Sequence, residues 1–476
     1  MKLAELLNPW LNQPLAETEI TGIQNDSRKV EPGELFLAYP GAAADGRLFI
    51  ESAIKAGATA VAYESQDLPT SLTFHVPLIP IAGLSGKIAA IANRYYKYPS
   101  RQLNVCGVTG TNGKTTIAYL LAQAYGLLNR EAAYIGTLGQ GKIGNIVPIG
   151  NTTPDALLLQ KIFYQFKKEG ITQVCMEVSS HALDQGRVEG VLFKQAIFTN
   201  LSHEHLDYHH TMEAYAAAKA KLFMNDSLHT AIINEDDSFH DLMAAHLPRH
   251  CQKISYGLTK GTIRAVRCQM GMHGSEFVIK TQKEELPTQI QLLGMFNIYN
   301  ALAVFASLVA EGFAPKAVAE ILPELHASPG RMERVLNKPL ALVDYAHTPD
   351  ALENALVTLN QLKMDRLIVV FGCGGDRDKS KRPIMAKIAE RYADVIIVTS
   401  DNPRTEDPAK IIEEILAGIT NSAKVTSFVE REAAILHALK IAREKDIILV
   451  AGKGHEDYQE VGKQKIHFSD QEILRK

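Results

Sequence analysis

Residues 107–116 read Gly-Val-Thr-Gly-Thr-Asn-Gly-Lys-Thr-Thr, with an apolar run at 103–106 before them and a helical pattern at 117–128 after them. A strand, a glycine-rich turn and a helix that opens with Lys-Thr are typical of a triphosphate cradle. Backbone N–H groups and the helix N-terminus hold the phosphates, the lysine supplies a charge, and the threonine hydroxyl reaches Mg²⁺. The usual G-x-x-x-x-G-K-[ST] spacing requires glycine at 108, where this chain has Val108. The stretch therefore predicts an ATP-binding loop of unusual spacing.

Composition excludes several classes of protein. The chain has 476 residues, 46% of them hydrophobic and 22% charged, with a net charge of −3 and no basic block, so we expect no nucleic-acid partner. No apolar run approaches the roughly 18 residues that a membrane span requires, and residues 1–10 predict a short helix rather than a signal peptide. The cysteines lack C-x-x-C spacing, which predicts buried free thiols in a cytoplasmic protein. They are Cys106, Cys175, Cys251, Cys268 and Cys373. We also expect a monomer.

The alternation of apolar runs with helical patterns predicts an α/β protein of three domains. Residues 1–99 predict a smaller N-terminal α/β domain, and residues 100–328 a central P-loop-type domain built on a parallel sheet. Residues 329–476 predict a second doubly wound, Rossmann-like domain. Its strands are expected at 340–343, 367–371, 395–399 and 447–450, each followed by a polar or glycine-rich loop. Ligands of such sheets bind beyond the carboxyl ends of the strands, where these loops fall.

Two segments of the central block predict a metal-assisted phosphate site. Glu177 closes an apolar strand, a position from which a carboxylate can meet Mg²⁺, although a strand-end glutamate can equally pair with a lysine. Residues 199–210 hold four histidines, including His205, beside two acids. They lack the helical H-E-x-x-H spacing of a zinc site and have no cysteine partners. A magnesium–phosphate site is therefore favoured over zinc.

The pattern at 212–223 predicts a helix with one lysine on its buried face. Met212, Tyr215, Lys219, Leu222 and Phe223 share that face at helical spacing, whereas the neighbouring lysine at 221 points away. A desolvated lysine favours its neutral, nucleophilic form, which can attack a carbonyl group or take up CO₂ as a carbamate. The alternative is an ordinary lysine that extends its amine to water.

Six ordered segments resemble those of the Mur ligases, ATP-dependent amide-forming enzymes of peptidoglycan precursor synthesis, and the resemblance covers essentially the whole chain. They are residues 107–116, 176–182, 199–210, 294–301 (Gly-Met-Phe-Asn-Ile-Tyr-Asn-Ala), 330–333 (Gly-Arg-Met-Glu) and 343–349 (Val-Asp-Tyr-Ala-His-Thr-Pro). One small departure is His210, where relatives often carry glycine.

The resemblance implies roles for individual residues. The catalytic residues are Lys114, Glu177, His205 and Lys219. The implied magnesium ligands are Thr115, Glu177, His205 and Lys219, the last as N6-carboxylysine. The carbamate role agrees with the inward-facing position of Lys219. The ATP site is implied to contain Gly110, Thr111, Asn112, Gly113, Lys114, Thr115, Thr116, Asn300, Arg331 and Asp344.

Residues 25–28 (Asn-Asp-Ser-Arg) and 151–155 (Asn-Thr-Thr-Pro-Asp) resemble those of the family members that add the third residue of the stem peptide. The implied substrate is UDP-N-acetylmuramoyl-L-alanyl-D-glutamate. Its implied contacts are Ser27, Arg28, Asn151, Thr152, Thr153, Ser179, Gln185 and Arg187.

The segment at 400–404, Ser-Asp-Asn-Pro-Arg, follows a predicted strand and ends in an arginine suited to bidentate carboxylate binding. A solvent-exposed loop arginine is the alternative. In the family, Asp-Asn-Pro-Arg marks members that select meso-diaminopimelate, whereas members that add lysine lack this arginine. The implied contacts to that amino acid are Arg377, Asp401, Asn402, Pro403, Arg404, Gly452 and Glu456.

The implied reaction phosphorylates the glutamate side-chain carboxylate with ATP, and an amine then attacks the acyl phosphate. Four alternatives remain: the same ligase using L-lysine, a folylpolyglutamate synthetase, a P-loop kinase that stops after phosphoryl transfer, and a nucleotide-gated binding protein. A binding protein needs only the ATP loop, so the additional charged residues favour an enzyme.

Overall fold

The computed structural model describes residues 1–11, 17–41, 44–66 and 75–476. In these ranges the chain forms three α/β units, each built on a mainly parallel sheet, as the sequence predicts. No helix in the described part of the chain is long and apolar enough to cross a bilayer.

The N-terminal unit is a parallel sheet in the order β1-β2-β3-β4 with helices on its two faces. Alternate residues of β2 point to opposite faces, so that Leu35 and Leu37 pack in one core and Phe36 and Ala38 in the other. The strands are β1 (Gly22–Gln24), β2 (Glu34–Ala38), β3 (Ala60–Glu64) and β4 (Leu78–Ile81), and the helices are α1 (Leu3–Leu7), α2 (Ile50–Lys55) and α3 (Ile88–Tyr95).

The central unit has a parallel middle, β13-β12-β11-β10-β5-β9-β6, which antiparallel strands extend at both edges. The strands are β5 (Asn104–Thr109), β6 (Ala132–Gly136), β7 (Gly139–Lys142), β8 (Asn145–Val147), β9 (Gln173–Glu177), β10 (Phe193–Phe198), β11 (Thr230–Asn234), β12 (Gln252–Gly257), β13 (Ile263–Gly271), β14 (Gly274–Lys280) and β15 (Glu285–Ile290). The helices are α4 (Lys114–Leu127), α5 (Ala156–Lys168), α6 (Ser180–Asp184), α7 (Leu206–His209), α8 (Met212–Ala220), α9 (His240–Ala244), α10 (Met295–Ala310) and α11 (Pro315–Ile321).

The C-terminal unit is a six-stranded sheet, β16-β17-β21-β18-β19-β20, parallel except for its edge strand β16, and a separate hairpin, β22-β23. The strands are β16 (Glu333–Asn337), β17 (Leu340–Asp344), β18 (Leu367–Phe371), β19 (Val395–Thr399), β20 (Val425–Phe428), β21 (Ile447–Ala451), β22 (Tyr458–Val461) and β23 (Gln464–His467). The helices are α12 (Pro349–Leu362), α13 (Lys381–Tyr392), α14 (Pro408–Leu416), α15 (Arg431–Ile441) and α16 (Asp470–Leu474).

The cysteine prediction is confirmed only in part. All five cysteines are free thiols, and Cys106, Cys175 and Cys373 are buried as expected. Cys251 and Cys268 are only half-buried. Cys251 directly precedes β12 and Cys268 lies on β13, at the side of the sheet where one face meets solvent.

The central unit contacts both neighbours. Ala156 and Leu157 at the start of α5 pack into the core of the N-terminal unit. On the other side, the Asp350 carboxylate on α12 accepts hydrogen bonds from Asn112 Nδ2 at 2.9 Å and Ser202 Oγ at 3.2 Å. The C-terminal unit therefore lies directly against the glycine-rich loop.

Candidate functional site

The glycine-rich loop joins β5 to α4, as predicted, and its glycines explain the unusual spacing. Val108 is fully buried within β5, so a strand residue stands where the usual pattern has its first glycine. Gly110 and Gly113 carry the positive φ angles of +148° and +88°. A Cβ at Gly113 would lie 2.7 Å from Asn300 Oδ1, so the loop tolerates only glycine there. The result is a phosphate-sized cradle at the N-terminus of α4.

Two lysines converge on one carbonyl oxygen of this loop. Lys114 Nζ donates to the backbone oxygens of Gly110 at 2.9 Å and Thr111 at 2.7 Å. Lys219 Nζ donates to the same Gly110 oxygen at 2.8 Å and lies 4.4 Å from the centre of the Tyr215 ring. The loop therefore has two lysine side chains at the place where phosphates would bind.

Lys219 faces inward, as the helical pattern predicts. Its side chain is 1% exposed, whereas Lys221 is exposed and pairs with Asp184 at 2.8 Å. Burial, reinforced by the neighbouring charge of Lys114, lowers the pKa of Lys219 well below its usual range. The neutral amine is therefore favoured, which is the form that can react with CO₂.

Glu177 is fixed at the end of β9 rather than paired with a lysine. Its carboxylate accepts hydrogen bonds from the Tyr134 hydroxyl and from the Thr137 backbone N–H at 2.9 Å and hydroxyl at 3.3 Å. Neither Tyr134 nor Thr137 was singled out in the sequence, because their role depends on β6 lying beside β9 in the sheet. In the described ranges no lysine or arginine is hydrogen-bonded to Glu177, so its carboxylate can bind a cation.

His205 takes the left-handed conformation (φ +57°) just before α7. Its ring lies edge-on to that of His181, with the centroids 4.9 Å apart. Burial lowers the pKa of His205 to about 4, against the opposing charge of Glu204, so the imidazole is neutral near pH 7. A neutral imidazole is the form that ligates a metal.

The donor set suits magnesium more than zinc. Among the described residues no group of three or more His, Cys, Asp or Glu side chains is placed to hold a metal ion. Mg²⁺ commonly uses one or two protein ligands and takes the rest from phosphate oxygens and water. The Glu177 carboxylate and the Thr115 hydroxyl offer oxygen ligands of this kind, and His205 adds a neutral nitrogen.

Arg331 connects the C-terminal unit with the phosphate loop. Its Nη2 donates to Thr115 Oγ1 at 3.3 Å, and its guanidinium carbon lies 4.5 Å from the centre of the Tyr345 ring. Its buried Nε has no hydrogen-bond partner in the described ranges, so one donor remains for a ligand. The Tyr345 ring in turn lies 5.4 Å from that of His455.

Asn300 and Asp344 border this region, each already engaged by protein. Asn300 Nδ2 donates to Asn297 Oδ1 at 2.9 Å. Asp344 accepts the backbone N–H groups of Met332 at 2.6 Å and Ala346 at 2.9 Å, and burial raises the pKa of its carboxyl group. Asp344 thus fixes the segment that carries Arg331.

Most of the predicted muramoyl-peptide contacts form one network beside Glu177. Thr153 Oγ1 donates to the Glu177 backbone oxygen at 3.0 Å and accepts from the Ser179 N–H at 3.1 Å. Arg187 Nη1 donates to the Thr153 backbone oxygen at 3.2 Å, and its Nε donates to Gln185 Oε1 at 3.0 Å. The Thr152 and Thr137 hydroxyls lie 3.2 Å apart, while Asn151 is exposed.

Ser27 and Arg28 lie apart from that network, in the N-terminal unit. Arg28 is exposed, and its Nε and Nη2 both donate to the Asp26 carboxylate at 2.9 Å. These hydrogen bonds lower the pKa of Asp26 to about 2. The bidentate pair holds Arg28 at the surface of this unit.

The predicted amino-acid contacts converge at the carboxyl ends of three neighbouring strands, β21, β18 and β19. Glu456 Oε2 accepts from Asn402 Nδ2 at 2.8 Å and from the fully buried Lys453 at 2.9 Å. Gly452 has φ +116°, and a Cβ there would lie 2.5 Å from Asp401 Oδ2. Pro403 is buried between these loops, and Arg377 is exposed at their rim.

Arg404 is held at two corners of its guanidinium group. Its Nε donates to Glu460 Oε2 at 3.0 Å and its Nη1 to the Gly375 backbone oxygen at 2.7 Å, so it is not a free surface arginine. Glu460 lies in the hairpin β22-β23, which the sequence did not predict, because its short strands are mostly exposed and show no buried face.

Family models match along most of the chain. The Mur ligase middle domain matches residues 108–308, the Mur ligase glutamate ligase domain matches residues 330–454, and the Mur ligase family catalytic domain matches residues 19–96. The chain belongs to the Mur ligase family, a family of ATP-dependent ligases.

Similar proteins carry a more specific name. The chain is 47% identical to the UDP-N-acetylmuramoyl-L-alanyl-D-glutamate–2,6-diaminopimelate ligase of Pseudomonas putida, over 99% of this chain and 96% of the relative. A solved structure of a ligase with that name has a TM-score of 0.72 and 36% identity, and covers 100% of this chain and 98% of its own.

The folylpolyglutamate synthase of Mycobacterium tuberculosis, solved with ADP, resembles the chain more distantly. Its TM-score is 0.66 at 18% identity, and it covers 77% of this chain and 92% of its own. Identity this low shows a common fold only.

Proposed function

We propose that this chain is an ATP-dependent ligase that joins meso-diaminopimelate to the D-glutamate of UDP-N-acetylmuramoyl-L-alanyl-D-glutamate. One chain of contacts carries the proposal. Thr115 in the phosphate loop contacts Arg331, which stacks on Tyr345, and Tyr345 lies beside His455 in the loop that bears Glu456. Direct contacts therefore link the ATP cradle with the amino-acid loops, as a reaction that couples the two substrates requires.

The first step is phosphoryl transfer to the substrate. An oxygen of the D-glutamate side-chain carboxylate attacks the γ-phosphorus, so that a new O–P bond forms while the bond to ADP breaks. Lys114 leaves its backbone acceptors to bind the phosphates, and the unpartnered Arg331 Nε donates to the same charge. Thr153, Ser179 and Arg187 orient the muramoyl-peptide.

Magnesium would be held by the Thr115 hydroxyl, Glu177, His205 and a carbamate on Lys219, and when bound it would neutralise charge on the transferring phosphoryl group. The carbamate forms when the neutral Lys219 amine attacks CO₂ and loses a proton, which gives an anionic side chain. Its burial beside Lys114 supports this modification, because the new anion would lie beside the Lys114 cation.

The second step forms the amide bond. The neutral amine of meso-diaminopimelate attacks the acyl carbon, so that a C–N bond forms while the C–O bond to phosphate breaks; inorganic phosphate leaves and the amine nitrogen releases a proton to solvent. Glu456 Oε1, which has no protein partner in the described ranges, suits an ammonium group, and Arg404 Nη2 suits a carboxylate. The C-terminal unit lies against the phosphate loop and would limit hydrolysis of the acyl phosphate by water.

We further infer a monomeric cytoplasmic enzyme. The free thiols of all five cysteines suit a reducing compartment, and ATP and the nucleotide-linked substrate are intracellular metabolites. Size-exclusion chromatography with light scattering tests the monomer.

The test is ADP release from Mg²⁺-ATP and UDP-N-acetylmuramoyl-L-alanyl-D-glutamate in bicarbonate buffer, with meso-diaminopimelate or L-lysine in parallel. We expect release with diaminopimelate only. Release with lysine would keep the ligase and change its amino acid, release without any amino acid would indicate a kinase, and no release with either would contradict the proposal.

A further inference from the structure

The hairpin β22-β23 shapes the loop that carries Arg404. Arg404 takes the left-handed conformation (φ +50°). Its backbone N–H donates to the Glu460 oxygen at 2.9 Å, and its own oxygen accepts from the Gly462 N–H at 2.8 Å. Gln459 Nε2 donates to the Asp401 backbone oxygen at 2.7 Å, and the Glu460 N–H donates to Asn402 Oδ1 at 2.9 Å. The hairpin thus fixes the whole loop at residues 401–404.

The Glu460 side chain adds a charge to this arrangement. Its carboxylate pairs with Arg404 Nε at 3.0 Å, and the two side chains are 29% and 21% exposed. Since Nη1 is bonded to the Gly375 oxygen, the Nη2 corner is the part of the guanidinium group left for a ligand carboxylate. Glu460 therefore orients the fork of Arg404 and also competes for its charge.

This competition has opposite consequences for two amino acids. A ligand carboxylate at Nη2 gains from Arg404 and is repelled by Glu460. A ligand without that carboxylate leaves Arg404 still paired with Glu460. The free-energy cost of binding such a ligand is therefore smaller than if Arg404 were left as an unpaired cation. The Arg404–Glu460 pair therefore reduces the difference in binding affinity between the two ligands.

We propose that Glu460 is a specificity-determining residue, which sets how strongly the pocket distinguishes a diamino dicarboxylic acid from a diamino monocarboxylic acid. This inference rests on the proposed function, because Arg404 must receive the distal carboxylate of diaminopimelate. Glu456, on the other side of the pocket, is held by Lys453 and Asn402 without an arginine and would not have this effect.

The test uses Glu460→Gln in the full-length protein, since glutamine keeps an oxygen acceptor for Arg404 Nε and removes the charge. We expect the KM for meso-diaminopimelate to fall about threefold with kcat nearly unchanged, and kcat/KM for L-lysine to fall about threefold because Arg404 is then unpaired. The ratio of kcat/KM for diaminopimelate to that for L-lysine should therefore rise about tenfold. If L-lysine gives no turnover, its inhibition constant against diaminopimelate replaces its KM.

The matched control is Glu432→Gln, which removes an exposed carboxylate paired with Lys476 at 2.7 Å in the same unit and should change neither constant. The second control combines Glu460→Gln with Arg404→Ala; there only the direct repulsion between Glu460 and the ligand carboxylate is removed, so the shift should be smaller than with Arg404 present. An unchanged or higher KM in a folded Glu460→Gln protein, an equal shift for both amino acids, or the same shift without Arg404 would overturn the inference. Failure of the proposed function is distinguishable, because the unaltered protein would then show no diaminopimelate-dependent ADP release.

Discussion

The phosphate loop and the amino-acid pocket lie at the same kind of place, beyond the carboxyl ends of parallel strands, but their charges are arranged differently. In the described ranges, Lys114 and Lys219 have no carboxylate partner and donate to backbone oxygens. In the amino-acid pocket, by contrast, Arg404 pairs with Glu460 and Lys453 pairs with Glu456. In the phosphate loop, Lys114 is therefore able to turn to an anionic ligand, whereas in the amino-acid pocket the cations are already paired with carboxylates.

The difference matches the ligands that we propose. A triphosphate brings several negative charges, so a loop with unpaired cations gains most from binding it. A zwitterionic amino acid brings little net charge, so its recognition depends on where each paired group points. The following predictions test whether the first site depends on charge and the second on geometry.

The largest effect is expected for Lys114→Ala. We expect kcat/KM for ATP to fall about 10³-fold, because the principal cation facing the phosphates is lost. Steady-state ADP release measures it. Lys161→Ala, an exposed lysine on α5 of the same unit, serves as the control and should retain activity. A loss below tenfold for Lys114→Ala would show that ATP binding and turnover do not depend mainly on the charge of this lysine.

The second prediction concerns Lys219→Ala, with Lys221→Ala on the same helix as its control. We expect kcat to fall about a hundredfold, since the buried group that we propose as a support for Mg²⁺ is lost, whereas the exposed Lys221 should be dispensable. Short carboxylic acids should partly restore turnover by replacing the carbamate. Near-normal turnover of Lys219→Ala without any added acid would contradict the carbamate.

The sequence predicted much of this comparison because the relevant signals are local. The strand–loop–helix at 104–127 and the inward face of Lys219 follow from the periodicity of apolar residues within one or two turns. The antiparallel strands β13–β15 and the hairpin β22-β23 were missed. Their residues alternate between buried and exposed or are mostly exposed, and their pairing depends on neighbours in space.

The partners of the site residues were harder to predict than the residues themselves. Glu177 was found from its place at a strand end, but the hydroxyl that fixes it belongs to Tyr134, 43 positions earlier on an adjacent strand. Arg404 was found from its loop, but Glu460 is 56 positions away on the hairpin. Such pairs follow from strand order, which a single sequence leaves undetermined.

The third prediction concerns Arg404→Ala. We expect kcat/KM for meso-diaminopimelate to fall about 10- to 100-fold, mainly through KM, because one charge-assisted pair with the ligand is lost. L-Lysine kinetics should change much less. Arg391→Ala, an exposed arginine 3.7 Å from Glu353, is the control. An unchanged KM for diaminopimelate would show that Arg404 does not bind the second carboxylate of this ligand.

The smallest effect is expected for Asp350→Asn, where the C-terminal unit meets the phosphate loop. The Asp350 carboxylate accepts hydrogen bonds from Asn112 and Ser202, so it places a negative charge from the C-terminal unit beside the phosphate loop. Asparagine keeps an acceptor and removes the charge, and we therefore expect the KM for ATP to fall about two- to threefold at low salt. The difference should shrink at high salt, because ions screen a charge effect but not a geometric one. Asp365→Asn, whose carboxylate pairs with Arg443 at 3.4 Å, is the control and should leave the KM unchanged. A higher KM for Asp350→Asn at every salt concentration would mean that this contact closes the cleft, and that domain geometry rather than charge limits ATP binding.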